Sequence, residues 1–245
     1  MRIVEVAGGV HLVTGTNVNW VVLAEGSAVT LVDAGYPNDA RALLASLDAL
    51  GHRLEDVEAV VLTHAHLDHV GGVPALRRRR PLPVLTSHEE ARHARREYLE
   101  QMSVPRMLAQ GGTPQGRRWI AQTLRAVLPH ASARLREVTG VPFGEPLHLP
   151  GAPVPVDLAG HTPGHTGWLL PQRGVLVSGD ALVTDHPLSA RAPGPQLLPS
   201  AFSSDEPTMA ARLQALRDLP VDVVVPGHGP VHRGPLAAAI DAALG

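Results

Sequence analysis

The run Val57-Glu58-Ala59-Val60-Val61-Leu62 leads straight into Thr63-His64-Ala65-His66-Leu67-Asp68-His69. The first stretch reads as a short buried strand, and the second carries three imidazoles and a carboxylate. No other junction constrains the fold as much. A strand that delivers such a cluster at its C-terminal end is expected in an α/β sheet, where chemistry gathers at strand ends. Neutral imidazole and carboxylate oxygen are ligands for a divalent ion. In an extended loop, residues i and i+2 point the same way, so His64 and His66 can share one ion. Asp68 and His69 follow after one spacer and can turn toward a second.

Three later segments each offer a ligand in a tight turn. They are Gly160-His161-Thr162-Pro163-Gly164-His165-Thr166, Ser178-Gly179-Asp180 and Pro226-Gly227-His228-Gly229. Pro163-Gly164 makes the first a turn rather than a helix, so its two imidazoles need not share a face. Each segment is bland alone, since a strand-end Asp is more often a cap or turn former. All three follow apolar runs that read as buried strands, as His64 does. A composite site at one edge of a sheet stack requires that placement.

Composition narrows the chemistry. The chain lacks Cys, which excludes disulfides, thiolate ligands and a Cys nucleophile. All 21 basic residues are Arg, so Schiff-base chemistry is excluded as well. A net charge of -2 argues against a dedicated nucleic-acid binder. Aromatics are only 3%, so Val, Leu and Ala must fill the core. The start, Met1-Arg2-Ile3-Val4-Glu5-Val6, lacks the basic-then-apolar pattern of a signal peptide. No apolar run approaches the ~18 residues of a membrane span. A cytoplasmic location with no membrane partner is therefore expected. Charge is uneven, because residues 77–136 hold 13 Arg and 4 Glu. Such a segment can steer anionic partners, or simply present a solvated helical face.

Strands are expected over residues 1–33, including Val10 to Thr14, Trp20 to Ala24 and Val29 to Asp33, with Gly8-Gly9 and Glu25-Gly26-Ser27 as turns. Asn38 or Asp39 is placed to cap a helix with the apolar face Ala42, Leu43, Leu47 and Leu50. Gly71-Gly72 is expected to bring the backbone close to the site before a short helix. Helical spacing joins Ala91, Ala94, Tyr98, Leu99 and Met102, and also Trp119, Ile120, Leu124, Val127 and Leu128. Strands resume at Val154 to Leu158, Gly167 to Leu170, Val175 to Ser178 and Val221 to Val225, with helices near Asp205 to Leu216 and Leu236 to Leu244. The pattern predicts an α/β fold, a four-layer αββα sandwich of two mixed sheets flanked by helices. A helical insertion is expected at about 88–136, and a single domain over 1–245.

Taken together, the strand-end Asp33, the HxHxDH loop, the GHTPGH loop, Asp180 and the late GHG turn resemble the metallo-β-lactamase-fold hydrolase superfamily. The motifs occur in the family order and span residues 33–228. The resemblance implies that His64, His66 and His161 bind one metal, that Asp68, His69 and His228 bind a second, and that Asp180 bridges both. His165 and His186 would stand behind the ligands or face substrate, and Asp33 would orient a ligand imidazole through its free N–H. Zinc is the favoured ion, with iron or manganese as alternatives. Water activated between two such ions would attack an electrophilic carbonyl or phosphorus, and Asp68 would orient it and pass a proton to the leaving group.

Departures narrow the branch. Secreted zinc β-lactamases carry a signal peptide, and many use Cys where this chain has Asp180. Glyoxalase II-like thioesterases usually add a C-terminal glutathione-binding region, whereas only 17 residues follow His228. Diiron relatives carry an acidic residue at the place of His66. Lactonases place a Tyr shortly after the bridging Asp, where this chain has Val183. A small ester, thioester or lactone is the expected substrate, in a glyoxalase II-like or lactonase-like enzyme that can form a homodimer. The Arg-rich segment keeps two readings, a substrate lid whose Arg92, Arg95, Arg96, Arg106, Arg117 and Arg118 meet an anion, or a structural cover. The alternatives are a phosphodiesterase or nuclease, and a metal-stabilised binding protein without turnover.

Overall fold

The computed structural model of the chain describes residues 1–128, 130 and 132–245. Pro129 and Ala131, inside the expected helical insertion, lie outside the described residues. The strands are β1 (Arg2–Ala7), β2 (Val10–Thr14), β3 (Asn19–Glu25), β4 (Ala28–Val32), β5 (Val57–Val61), β6 (Val84–Ser87), β7 (Thr139–Val141), β8 (Val154–Asp157), β9 (Thr166–Leu170), β10 (Val175–Gly179), β11 (Val223–Pro226) and β12 (His232–Arg233). The helices are α1 (Ala40–Ala49), α2 (Leu67–Val70), α3 (Val73–Arg77), α4 (His88–Ala94), α5 (Val104–Ala109), α6 (Pro114–Val127), α7 (Glu206–Ala215) and α8 (Leu236–Leu244).

Two mixed sheets result. The first runs β1-β2-β3-β4-β5-β6-β7, an antiparallel meander through β4 followed by parallel pairings from β4 to β7. The second runs β12-β11-β10-β9-β8, with only β10 and β11 parallel. Trp20-Val21-Val22-Leu23 shows why the layers stack. Val21 and Leu23 pack between the sheets against Trp168, Val177 and Val225 of the second sheet. Trp20 and Val22 point the other way, against Leu43 and Leu47 of α1. A strand covered on both faces needs a continuous apolar run. Leu176 and Val224, on the outer face of the second sheet, pack on α7 and α8 through Met209, Leu213 and Ile240. Each fully buried Val or Leu contributes about 1.5–3 kcal/mol before entropy is subtracted. The result is the four-layer αββα sandwich, with α4, α5 and α6 inserted between β6 and β7. Among the described residues, no helix is long and apolar enough to cross a membrane.

Several local expectations need correction. Neither Asn38 nor Asp39 caps α1 through its side chain. Asn38 donates instead to the carbonyls of Arg125 (2.6 Å) and Leu128 (2.9 Å), which ties α6 to the body. Asp39 accepts from Thr16 Oγ1 (2.7 Å) and the Tyr36 N–H (3.2 Å). Helix α4 stops at Ala94, because Arg96 turns left-handed at φ 59° and donates to the carbonyls of Ala65 and His93. Tyr98, Leu99 and Met102 therefore lie beyond it. Gly71-Gly72 passes close to the loop after β4, where side chains would meet Pro37 and Ala34, the latter next to Asp33.

Candidate metal centre

Parallel strands aim their C-terminal ends one way, and the candidate ligands use that edge. Asp33 follows β4 and the His64–His69 segment follows β5, while in the second sheet Asp180 follows β10 and His228 follows β11. His161 lies in the connection from β8 to β9. The two sheets thus bring five chain segments to one floor. Three groups there could each hold an ion, namely His64/His66/His161, Asp68/His69/His228 and a middle set, His64/His69/Asp180. Within each, the offered atoms lie within 4.8 Å of one another. Asp180 is central. Its Oδ2 stands 3.0 Å from His228 Nε2, 3.6 Å from His161 Nε2 and 3.8 Å from His64 Nε2, and its Oδ1 stands 3.4 Å from His69 Nε2. Donors about 2.0–2.2 Å from a tetrahedral ion are about 3.3–3.6 Å from each other, which the His69 and His161 separations match, while those of His228 and His64 lie a few tenths of an ångström to either side.

Four of the five ligand imidazoles are held from behind through their outer nitrogens, which turns the lone pairs inward; the outer Nδ1 of His161 is buried without a partner. Asp33 accepts from His69 Nδ1–H (2.8 Å), from the Thr63 hydroxyl (2.7 Å) and from the Thr63 N–H (2.8 Å). The Thr63 oxygen then accepts from His64 Nδ1–H (3.0 Å), so one carboxylate orients two imidazoles. His66 Nε2–H donates to the Glu100 carbonyl (2.8 Å), leaving His66 Nδ1 to face His161 Nε2 at 3.0 Å. His228 Nδ1–H donates to the Asn17 carbonyl (2.6 Å). His64 Nε2, His69 Nε2 and Asp180 Oδ1 are buried without a hydrogen-bond partner. Polar atoms buried together without hydrogen-bond partners are costly unless a cation, a metal ion or a bound proton, sits among them. The donor set therefore fits two divalent ions.

Electrostatics separates the two triads. Burial first, then neighbouring imidazoles, push His64 and His66 well below the usual histidine range. Burial takes His161 down to about 3. Burial would lower His69 and His228 too, but Asp180 and Asp68 overcome it, and Asp33 adds to the effect at His69, so both are raised. Asp68, whose side chain is 19% exposed, is raised by burial and Asp180 against the pull of His69 and His228.

A family profile described as "Metallo-beta-lactamase superfamily" matches residues 13–228. The chain belongs to that superfamily. It is 27% identical over 252 residues to "Probable metallo-hydrolase YflN" of Bacillus subtilis (strain 168), covering 92% of this chain and 85% of the relative. It is 28% identical over 156 residues to "Hydroxyacylglutathione hydrolase GloC" of Haemophilus influenzae, covering 62% and 60%. Its fold matches the crystal structure of a metallo-beta-lactamase family protein from Thermus thermophilus, at TM-score 0.65 and 23% identity over 97% of this chain and 79% of that one.

This metallo-beta-lactamase floor also contains residues outside the triads. His165 is buried and belongs to none of the three groups. Its Nε2 accepts from the Asp180 N–H (3.1 Å), and a side chain on Gly179 (φ +53°) would strike its ring. His186 lines the cavity above the floor, its ring centroid 5.3 Å from that of His228. Asp33 holds φ 63°, uncommon for a residue with a Cβ, so it serves as both turn former and outer partner. Glu90 went unrecognised in the sequence. It is fully buried, and its Oε1 accepts from the Ala65 N–H and His93 Nδ1–H (2.7 Å each), while Oε2 accepts from Thr162 Oγ1 (2.7 Å). One carboxylate thereby ties the His64–His66 loop to the His161–His165 loop. Ser87 and Glu90 match a helix-start pattern that the sequence reading did not use. Tyr36 was missed too; it lines the cavity with Asp68.

The cavity measures about 350 Å³ and opens from the floor toward the insertion. Its walls include Met102, Met107, Trp119, Leu124, Val127 and Phe202. Among the described residues, no Arg lines it. Of the lid reading, the Met and aromatic part agrees with this lining and the Arg part is corrected. Arg92 and Arg95 are taken up by Glu97 (3.0 and 2.8 Å), Arg96 and Arg117 by backbone carbonyls, and Arg106 and Arg118 face outward. Arg77 and Arg80 are not merely solvated either. Arg80 gathers the carbonyls of Leu54 (3.0 Å) and Val57 (3.1 Å), and Arg77 binds that of Glu137 (2.7 Å).

Proposed function

We propose that this protein is a dinuclear metal-dependent hydrolase that cleaves a small ester, thioester or lactone. The observation that carries the reading is the convergence of Asp180 on both triads at 3.0–3.8 Å, with unpartnered donors turned inward. His64, His66 and His161 would hold one ion, Asp68, His69 and His228 the other, and Asp180 both. Zinc suits this nitrogen-rich set best, and iron or manganese could take its place. Two such ions, when bound, lower the pKa of water from 15.7 to about 7 and polarise the electrophile.

The chain's own residues do the rest. Asp68 reaches the cavity, and its raised pKa makes the carboxylate a better proton carrier toward the leaving group. Burial, followed by the Asp68 charge, raises the Tyr36 phenol well above its ordinary value. It therefore stays an O–H donor beside the floor. It can serve the substrate carbonyl where lactonase relatives use a Tyr at the place of Val183. Asp33, His165 and Glu90 keep the imidazoles and Asp180 aimed. A carboxylate at Asp180 and an imidazole at His66 favour a glyoxalase II-like or lactonase-like branch over a secreted β-lactamase. The hydroxyacylglutathione hydrolase relative lends support to an acyl substrate. An apolar cavity without Arg weighs against the phosphodiesterase alternative. A single domain over 1–245, a cytoplasmic location, a homodimer and a small-molecule substrate belong to the same proposal.

A panel of carboxylester, thioester, lactone and phosphodiester substrates on the metal-loaded protein tests it. Cleavage of one acyl class is expected. Cleavage of phosphodiesters alone would replace the reading, and a fully loaded protein inert to all four would end it.

A further inference from the structure

The insertion places a largely apolar chamber over a polar floor, and among the described residues no Arg stands in its walls. The lining combines aliphatic and thioether side chains from α5 and α6 with an aromatic corner. In that corner Phe202 lies 5.8 Å from Trp119 and 4.8 Å from His186 between ring centroids, and His186 adjoins His228. The apolar surface does not stop at the mouth. Val104 and Leu128 line the cavity yet are 64% and 54% exposed. Apolar side chains that both line a pocket and face water usually mark a surface that a ligand covers. Leu124 on α6 and Leu128 just past its end line the chamber beside the buried Trp119 and Val127, yet both remain exposed to solvent. Polar side chains that could read a substrate include Tyr36, Asp68 and His228 with the floor, and Asn17, Gln101 and Thr123 elsewhere in the lining; none of these last three carries a charge.

We propose that the chamber is a subsite for an unbranched apolar acyl chain, whose carbonyl end meets the floor. The chamber has room for roughly a dozen atoms at about 30 Å³ each. Some of them must be the reacting group, which leaves a chain of about six to ten carbons. Methionine at 102 and 107 suits such an occupant, since a flexible thioether adapts to a flexible chain. The inference rests on the hydrolase reading for the identity of the floor, and on the chamber alone for the chain.

The test is calorimetric binding of butyrate, hexanoate, octanoate and decanoate to the metal-loaded protein, alongside Leu124→Arg. Leu124 is partly exposed, so the substitution is compatible with folding, and metal content reports on the floor. Affinity should rise about fourfold per methylene up to the chamber's capacity and then level off. Leu124→Arg, with its metal retained, should flatten that slope. Equal affinity for butyrate and octanoate in the native protein, or an unchanged slope in the variant, would overturn the inference. A rising slope without cleavage of any octanoyl ester, thioester or lactone would uphold the chain subsite and remove the hydrolase reading. A flat slope with brisk cleavage of acetyl esters would do the reverse.

Discussion

The floor and the cover of this molecule are built on opposite principles. On the floor, four ligand-bearing segments follow strands, and each outer nitrogen of His64, His66, His69 and His228 has a fixed partner between 2.6 and 3.0 Å away. The cover over α5 and α6 has exposed Val104, Leu108 and Leu128, and its polar ties to the body are few, Asn38 to α6 and Asn17 to Gln122 among them. Precision is concentrated where atoms must be aimed within tenths of an ångström. Adaptable apolar surface lies where shape alone decides. A superfamily can therefore keep its chemistry while its members differ in what they accept.

The contrast can be broken at the floor first. Asp68→Asn should lower kcat by about 10²–10⁴-fold while leaving most of the metal bound, with turnover and elemental content measured on one preparation. Loss of metal in step with activity would reduce Asp68 to a ligand only. Next in size is Glu90→Gln, which weakens the tie between the two ligand loops. Chelator competition should show about 10–100-fold weaker retention of the ion at His64, His66 and His161. Unchanged retention would mean that the loops hold themselves.

Acidification sharpens the comparison within the floor. Imidazole must be neutral to bind a cation. His64 and His66 sit well below 6.5 and His161 at about 3, so protons do not compete there as the pH falls. His69 and His228 are raised, so protons compete with the second ion near neutrality. Between about pH 7.5 and 5.5 the Asp68/His69/His228 ion should leave first, seen as two separated losses in a metal-release titration. Simultaneous loss would contradict the asymmetry. The smallest effect belongs to the cover's charge. Arg106→Ala and Arg118→Ala should change kcat/KM by less than about twofold, because neither guanidinium lines the cavity. A tenfold loss with an anionic substrate would restore the Arg lid.

The sequence was most readable where function resides in side-chain identity at a strand end. His64, His66, Asp68, His69, His161, Asp180 and His228 all reach one floor. The four layers were readable too, because Trp20 to Leu23 has no polar face to offer water. The partners behind the ligands were hidden for definite reasons. Asn17 and Glu100 act through backbone carbonyls, which have no side-chain signature. Glu90 sits beside Glu89 at the start of an Arg-bearing helix, and only the tertiary fold shows that one faces the interior and the other solvent. On the cover, periodicity marked Leu124 and Leu128 as apolar without saying whether that face met a core or a cavity. The Arg count there measured charge, while the structure assigns much of it to Glu89, Glu97 and backbone carbonyls.

The most direct measurement is the number of metal ions the purified protein holds, read by elemental analysis and by calorimetric titration of the stripped chain with zinc. Two ions per chain are expected, bound in separable steps, with Asp180→Ala weakening both. One ion or none at saturating zinc, or an Asp180→Ala variant that still holds two as tightly, would contradict a floor built around a shared carboxylate.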